Sequence, residues 1–558
     1  MAITPYRAPF YADDEKGTVQ DAPSSAAHSV VSSRWLPHVL ALGVIGYWLL
    51  VKSVLFHRLE YTTDLFTNLE LTRSLFEGRP LLWENGYGDH KAFHNFYIAV
   101  LFYPFTRFLG AYGLFVAQAL LSGWAVHDIL RRARDAEEWR RVLYWATLAA
   151  MALGPVAFFI WENPVYGFHF ELLFVPLSAL FALSLSRRSR SAWIYGALIV
   201  LIREEGALLA WCIQVLYEVL NAQAGDRKAR SALFRRLAWI TLGWLVVFIA
   251  GMGLLLAMGA GSHGRLGSAP SAILRLINDS AIRSLFFRSL IDAALLLAAG
   301  AVVYLAGIPR RGLVITALIS LVLIPPITVA SSVYFESLRE HGIVWPPRLA
   351  MLWGVALAGC LLAIERARPP IFADSRGRRA WVAIAVAASI GTQFAVLAAC
   401  RRYDFISRFT LNALSIPRVL VARFVPASDF ARYYDRPRYV AWALSSAEDA
   451  FLGCLGRDLP HDTSVTATGT LFGRFHRQDL VFSDRVANAW KPPELVVCDD
   501  AGRFPLLEFG CMKLARSLPD TSYEMLALGN LAVRYSGRPK GVVEACAARL
   551  APAVSPAQ

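Results

Sequence analysis

The sequence predicts a polytopic bundle of membrane helices followed by a small α/β domain, and three observations carry that expectation. Hydrophobic residues make up 56 % of the 558 positions and charged residues only 18 %, against about 45–50 % and about 25 % in soluble proteins. Mean hydropathy is +0.43, and the apolar residues fall in runs of about 20, the length that crosses a ~30 Å hydrocarbon core. The arginines cluster in short segments between alternate runs. A cytosolic enzyme would have to expose those runs and is excluded. With 12 % aromatic residues, so is a disordered or fibrous chain.

Taken in order, residues 1–35 are polar and lack a signal-peptide pattern with a cleavage site, so they are expected to form a disordered cytoplasmic tail. The transmembrane domain is expected over 36–400. Its first span is Leu36 to Phe56, and further spans follow near 111–130, 142–161, 172–186, 191–203, 206–221, 237–258, 290–308, 313–333, 346–364 and 381–400. That makes about eleven. With the N-terminus inside, the inner loops hold Arg131, Arg132, Arg134, Arg140 and Arg141; Arg187, Arg188 and Arg190; Arg227, Lys228, Arg230, Arg235 and Arg236; Arg310 and Arg311; and Arg366, Arg368, Arg376, Arg378 and Arg379. Every inner loop is then basic, as the positive-inside rule requires. Counting the apolar run 93–108 as a crossing would reverse every later loop, so that run is expected to lie on or dip into the outer interface. The net charge of +14 comes from 56 Lys and Arg against 42 Asp and Glu. The basic loops account for it, and no basic stripe with interleaved aromatics points to nucleic acid.

The outer segments are then the first loop (57–110), 162–171, 259–289 and 334–345, with 401–558 as an extracytoplasmic α/β domain. In that domain SVTATG (464–469), LVFSD (480–484) and ELVVCD (494–499) are short β-branched runs between turn or helical stretches. A helix is expected before them, around Tyr439 to Leu455. Cys454, Cys498, Cys511 and Cys546 fall there, in an oxidising compartment on this topology, where one disulfide and free buried thiols are both open readings. The seven cysteines show no metal-binding spacing.

Ionisable residues with catalytic capacity gather on the outer side. Asp64 stands just past the first span, where a carboxylate at a cavity rim can serve as a base. GYGDHKAFH brings Asp89, His90 and His94 together; on a helix the two histidines share a face and could hold a divalent metal or an anionic phosphate. WENPVYGFHFELL adds Glu162, His169 and Glu171 as an acid, a base or metal ligands. LIREEGALL sets Arg203, Glu204 and Glu205 between two apolar runs, a place for charges that face a bundle interior or a cavity. YFESLREHGIVWPPRL contributes Arg339, His341 and Arg348, able to hold a phosphate. Each also has a plainer reading as a helix cap, a hydrated loop charge, a structural ion pair or an interfacial anchor. No P-loop, GxSxG, HExxH or dinucleotide fingerprint occurs.

The order TTDLF, GDHKAFHNFYIAVLFYPFTRFLG, GLFVAQALL, GFHFELLFVPL, LIREEGALL, EHGIVWPPRLA, SVTATGTLFGRFHRQDLVF and ELVVCD, over about 36 to 505, resembles the predicted membrane proteins of the domain-of-unknown-function family numbered twenty seventy-nine. That family is grouped with the class C glycosyltransferases, polytopic enzymes that use lipid-phosphate-linked sugars. The resemblance implies a catalytic carboxylate in the first outer loop at Asp64, here a single Asp rather than a DD or DxD pair. It also implies a helix along the outer surface after it, and a second acidic position at Glu162 or Glu171.

The implied reaction moves a sugar from a polyprenyl-phosphate donor to an acceptor hydroxyl at the outer leaflet, with inversion. Asp64 would be the base; Arg203, Arg339, His341 and Arg348 would hold the donor phosphate, and membrane lipids would surround the donor's tail. Two other classes stay open. A transporter or flippase would show broken helices and ionisable groups at the bilayer midplane. A non-catalytic scaffold would use its outer domain to bind a partner.

Overall fold

Nine of the expected spans form helices in the computed structural model, which describes residues 34–258, 346–366, 375–399 and 444–550. Short breaks such as 163–165, 223–226 and 502–509 interrupt these ranges, and scattered positions between 274 and 295 are also described. The expected spans at 290–308 and 313–333 lie almost wholly outside the described residues, as do Arg339 and His341.

The helical part begins with α1 (Leu36–His57) and α2 (Thr63–Arg73), then an antiparallel pair, β1 (Trp83–Glu84) and β2 (Gly88–Asp89). It continues with α3 (Ala99–Leu109), α4 (Ala111–Asp135), α5 (Glu138–Thr147), α6 (Pro155–Glu162), α7 (Phe174–Ser186), α8 (Ser191–Ile202), α9 (Gly206–Asn221), α10 (Arg227–Ala257), α11 (Pro346–Arg366) and α12 (Ser375–Ala399). Among the described residues four helices, α1, α4, α10 and α11, are long and apolar enough to cross a membrane, and α5 with α6 makes a fifth if counted as one bent span. α8 has 12 residues, about 18 Å at 1.5 Å per residue.

The break between α5 and α6 bends the pair by 46°, and its cause is local. A π turn (Leu148–Ala152) runs into Gly154 and Pro155, and proline removes a backbone donor. The groups so freed find partners on α12 and α11. Gln393 donates through Nε2 to the Ala150 carbonyl (2.8 Å) and accepts from the Val156 amide (3.2 Å), while Trp353 Nε1 donates to the Met151 carbonyl (2.8 Å). This is how a broken helix survives away from water.

The apolar run at 93–108 forms a helix only from Ala99. At 11 residues α3 reaches about 16 Å, half a bilayer core. Its residues Ala99, Phe102 and Thr106 are buried, while Leu101, Phe105 and Phe108 are exposed, so it packs on one face and presents apolar side chains on the other.

The C-terminal part opens with α13 (Ser446–Asp458), which starts later than the expected Tyr439 because Ser445 and Glu448 close a capping box there. Two of the expected runs form strands, β3 (Ser464–Ala467) and β5 (Leu495–Asp499), whereas of LVFSD only Leu480 enters the two-residue β4 (Asp479–Leu480). Two more strands, β6 (Glu524–Leu528) and β7 (Leu531–Tyr535), follow α14 (Cys511–Ser517) and precede α15 (Pro539–Leu550). The sheet order is β4-β3-β5-β7-β6, with β3 parallel to β4 and β5, and β7 antiparallel to β5 and β6. Two disulfides, Cys454–Cys546 and Cys498–Cys511, tie α13 to α15 and β5 to α14.

This domain is docked onto the first loop through buried charges. Arg79 Nη1 pairs with Glu70 and lies 3.0 Å from Asp479 Oδ1, to which Asn85 also donates (2.9 Å). Arg73 donates to the carbonyls of His476 (2.9 Å) and Gln478 (3.2 Å). Burial, then the Arg73 charge, pushes the His476 imidazole down to about 3. It therefore stays neutral and accepts the Ala111 amide through Nδ1 (3.2 Å). Gly110, at φ +59° between α3 and α4, leaves room for that ring, which a Cβ there would strike.

Candidate functional site

α1 ends at His57, and the chain turns at Leu59 before Thr63 and Asp64 open α2. A carboxylate in the first turn of a helix meets its exposed amides and the positive end of its dipole. The Asp64 side chain is 38 % exposed, and its helix is pinned by Asn68, which donates to the carbonyls of Asp64 (2.7 Å) and Phe168 (3.2 Å). That second bond brings in the segment that carries His169.

His169 Nε2 lies 3.3 Å from Asp64 Oδ2 and its Nδ1 lies 3.8 Å from Glu171 Oε2. Glu171, on the turn Phe170–Leu173, faces Arg203 Nη1 at 3.1 Å. Arg203 caps the short helix α8, and its Nε is 2.7 Å from Glu205 and 3.5 Å from Glu204. Glu204 reaches His94 Nδ1 at 3.0 Å and the Asn95 amide at 3.4 Å. Residues from four separate sequence segments thus form one line: Asp64, His169, Glu171, Arg203, the Glu204–Glu205 pair, and His94. All but Asp64 have side chains no more than 12 % exposed. The Asp64 carboxylate is the point where this buried line meets the outside.

Several expected partners sit elsewhere. His90 and His94 do not share a helical face, because only His90–Ala92 forms a short 3-10 turn and His94 lies past its end, outside any helix. Their rings are 6.2 Å apart, and each turns to its own carboxylate, His90 Nδ1 to Glu84 at 3.6 Å and His94 to Glu204. Asp89 pairs with the buried Lys91 (3.3 Å). The two histidines do not converge on one metal position. Among the described residues one group gathers three ligand atoms within 4.8 Å, Cys454, Asp458 and Cys546, and its two cysteines are joined to each other. Arg203, expected to hold a phosphate, faces three carboxylates instead. Arg348 is buried in the first turn of α11, a helix that packs on the turn carrying Glu171.

The structure also adds residues that the sequence reading passed over. Lys52, 2 % exposed within α1, donates through Nζ to the carbonyls of Glu162 (2.7 Å) and Gly167. Gly167 has φ +74° and the Tyr61 ring stands where a Cβ would go, a place that admits only glycine without strain. Lys52 therefore clamps the strand of chain that delivers His169. A lysine inside the run LLVKSVLF was the visible signal. Beyond His94, burial and the Glu204 charge push the Tyr97 phenol up to about 12, so it stays protonated.

No protein-family model, no curated protein and no solved structure matches the chain.

Proposed function

We propose that the protein is an integral membrane glycosyltransferase of the class C kind, which moves a sugar from a polyprenyl phosphate to an acceptor hydroxyl at the outer leaflet. The observation that carries this reading is the exposed Asp64 carboxylate at the head of a buried line of paired charges. Asp64 takes the acceptor's hydroxyl proton; the oxygen attacks the anomeric carbon as the bond to the phosphate breaks, and the phosphate leaves with the electron pair. His169, Glu171 and Arg203 hold Asp64 in place. Arg348, with Arg339 and His341 before it in sequence, takes the phosphate charge.

The membrane reading adds eleven crossings, an inner N-terminus and an outer C-terminal domain. The Arg-rich inner loops support it, and so does the presence of both disulfides in the domain assigned to the outside. The length of α3 supports an interfacial helix. A second reading, transport, is favoured by the bent α5–α6 pair and by charges buried within a helical body.

The experiment is direct. Membranes carrying the protein are given a polyprenyl-phosphate sugar labelled in the sugar. The proposal expects free polyprenyl phosphate and a labelled acceptor to accumulate faster than in membranes without it. Label that crosses sealed vesicles with its phosphate bond intact supports transport instead.

A further inference from the structure

At the end of the helical body opposite Asp64, a cavity of about 190 Å³ opens between α7, α8, α9 and α10. One water takes up about 30 Å³, so the space holds several methylene groups. Its walls are apolar and aromatic, with Phe181, Leu185, Trp193 and Trp244 prominent. Trp244 is fixed by donating its Nε1 to Gln214 (2.7 Å), and Trp193 is 74 % exposed. Arg188 lies at the lining and has φ +53°, a left-handed backbone that a long side chain rarely adopts. That conformation closes the end of α7, where the Ser189 amide donates to the Ser184 carbonyl (3.0 Å), and it holds Arg188 at the mouth of the cavity. Its neighbour Arg187 pairs with Asp128 (2.8 Å), whereas among the described residues Arg188 meets no carboxylate. Arg190 follows two residues on.

We infer that this cavity is a binding site for an anionic phospholipid of the inner leaflet, its phosphate on Arg188 and one acyl chain along Trp193 and Trp244. Basic pockets between membrane helices on the cytoplasmic side suit such headgroups, and aromatic rings suit the boundary between headgroup and chain. The site is separate from the proposed sugar chemistry and rests on the membrane orientation of that reading, in which Arg187, Arg188 and Arg190 face inward.

The test uses the full chain in detergent, melted with phosphatidylglycerol, with phosphatidylcholine of the same chains, or with inorganic phosphate. Phosphatidylglycerol at about 100 times its Kd should raise the Tm by about 2 °C, the shift that such saturation gives in a protein of this size, and the other two should not. Arg188→Gln should abolish the shift without lowering the lipid-free Tm. Gly196→Leu should abolish it from the other side, because a Cβ at Gly196 meets Phe181 and Trp244, each at 3.4 Å, and a longer side chain fills the space. Equal shifts with both lipids, or an undiminished shift in both variants, would overturn the site. A cysteine introduced by Arg190→Cys and labelled from outside intact cells would overturn the inner-leaflet source together with the orientation.

Discussion

The Asp64 and His169 side chains meet at 3.3 Å although one opens α2 and the other precedes α7. The contact depends on chain segments fixed from outside it, by Asn68 on one side and Lys52 on the other. His169→Gln keeps a polar group there but cannot bridge Asp64 and Glu171. We expect kcat for sugar transfer to fall by about 10²-fold, the scale of a misplaced catalytic group, with KM for the donor nearly unchanged. A rise in KM with kcat intact would place His169 in donor binding instead.

Lys52→Met keeps the length of the side chain and removes its donors. Two buried carbonyls then lose a partner, each at a cost of about 1–3 kcal/mol. The thermal midpoint should drop, and transfer should drop with it as the 162–169 segment loosens. Lys52→Arg should recover part of both losses. A Lys52→Met protein that melts like the parent would show that this clamp does not hold the loop.

The docking charges predict a pH effect. Burial and the Glu70 carboxylate push Asp479 up to about 7 from 3.8, against the pull of Arg79. An acid whose pKa rises on folding holds its proton more tightly in the folded chain, so the stability it lends is full below about 4 and is lost as pH climbs through about 7. Asp479→Asn removes that dependence while keeping an oxygen for Arg79 and Asn85. The Tm of the variant minus that of the parent should therefore grow between pH 4 and 7 and level off above. A difference that is constant across this range would contradict the shift.

Most of the helical framework was legible in the sequence, because runs such as Leu36 to Phe56 leave few alternatives to a helix. The α5–α6 break carries a local mark in Gly154 and Pro155, inside the run at 142–161 expected as one span, and its repair was not legible because it comes from Gln393, far away in sequence. Charge parity pointed to a non-crossing segment at 93–108, but the late start of α3 at Ala99 depends on tertiary contacts such as the Ile98 amide with the Leu201 carbonyl. At the site, Asp64, His169, Glu171, Arg203, Glu204 and His94 were each visible as ionisable residues in apolar surroundings. Their joining into one line was not, because sequence spacing says nothing of contacts between distant loops. The strands β6 and β7 escaped notice because EMLAL and LAVRY resemble short helical stretches as much as strands.

The disulfides test the outward placement of the C-terminal domain. Protein taken from cells with thiols blocked should show Cys454, Cys498, Cys511 and Cys546 protected until reduction. Cys454→Ala with Cys546→Ala should cost about 2–5 kcal/mol. Free thiols at these positions in cells would put the domain in a reducing compartment and reverse the orientation.

The central claim is that the Asp64 carboxylate is the base for sugar transfer, and Asp64→Asn measured in membranes with a polyprenyl-phosphate sugar tests it most directly. The substitution keeps the shape and removes the base. General-base catalysis is worth about 10²–10⁴-fold, so transfer should fall at least ~100-fold while the Tm stays near that of the parent. Transfer by the Asp64→Asn protein at the parent's rate would contradict the claim.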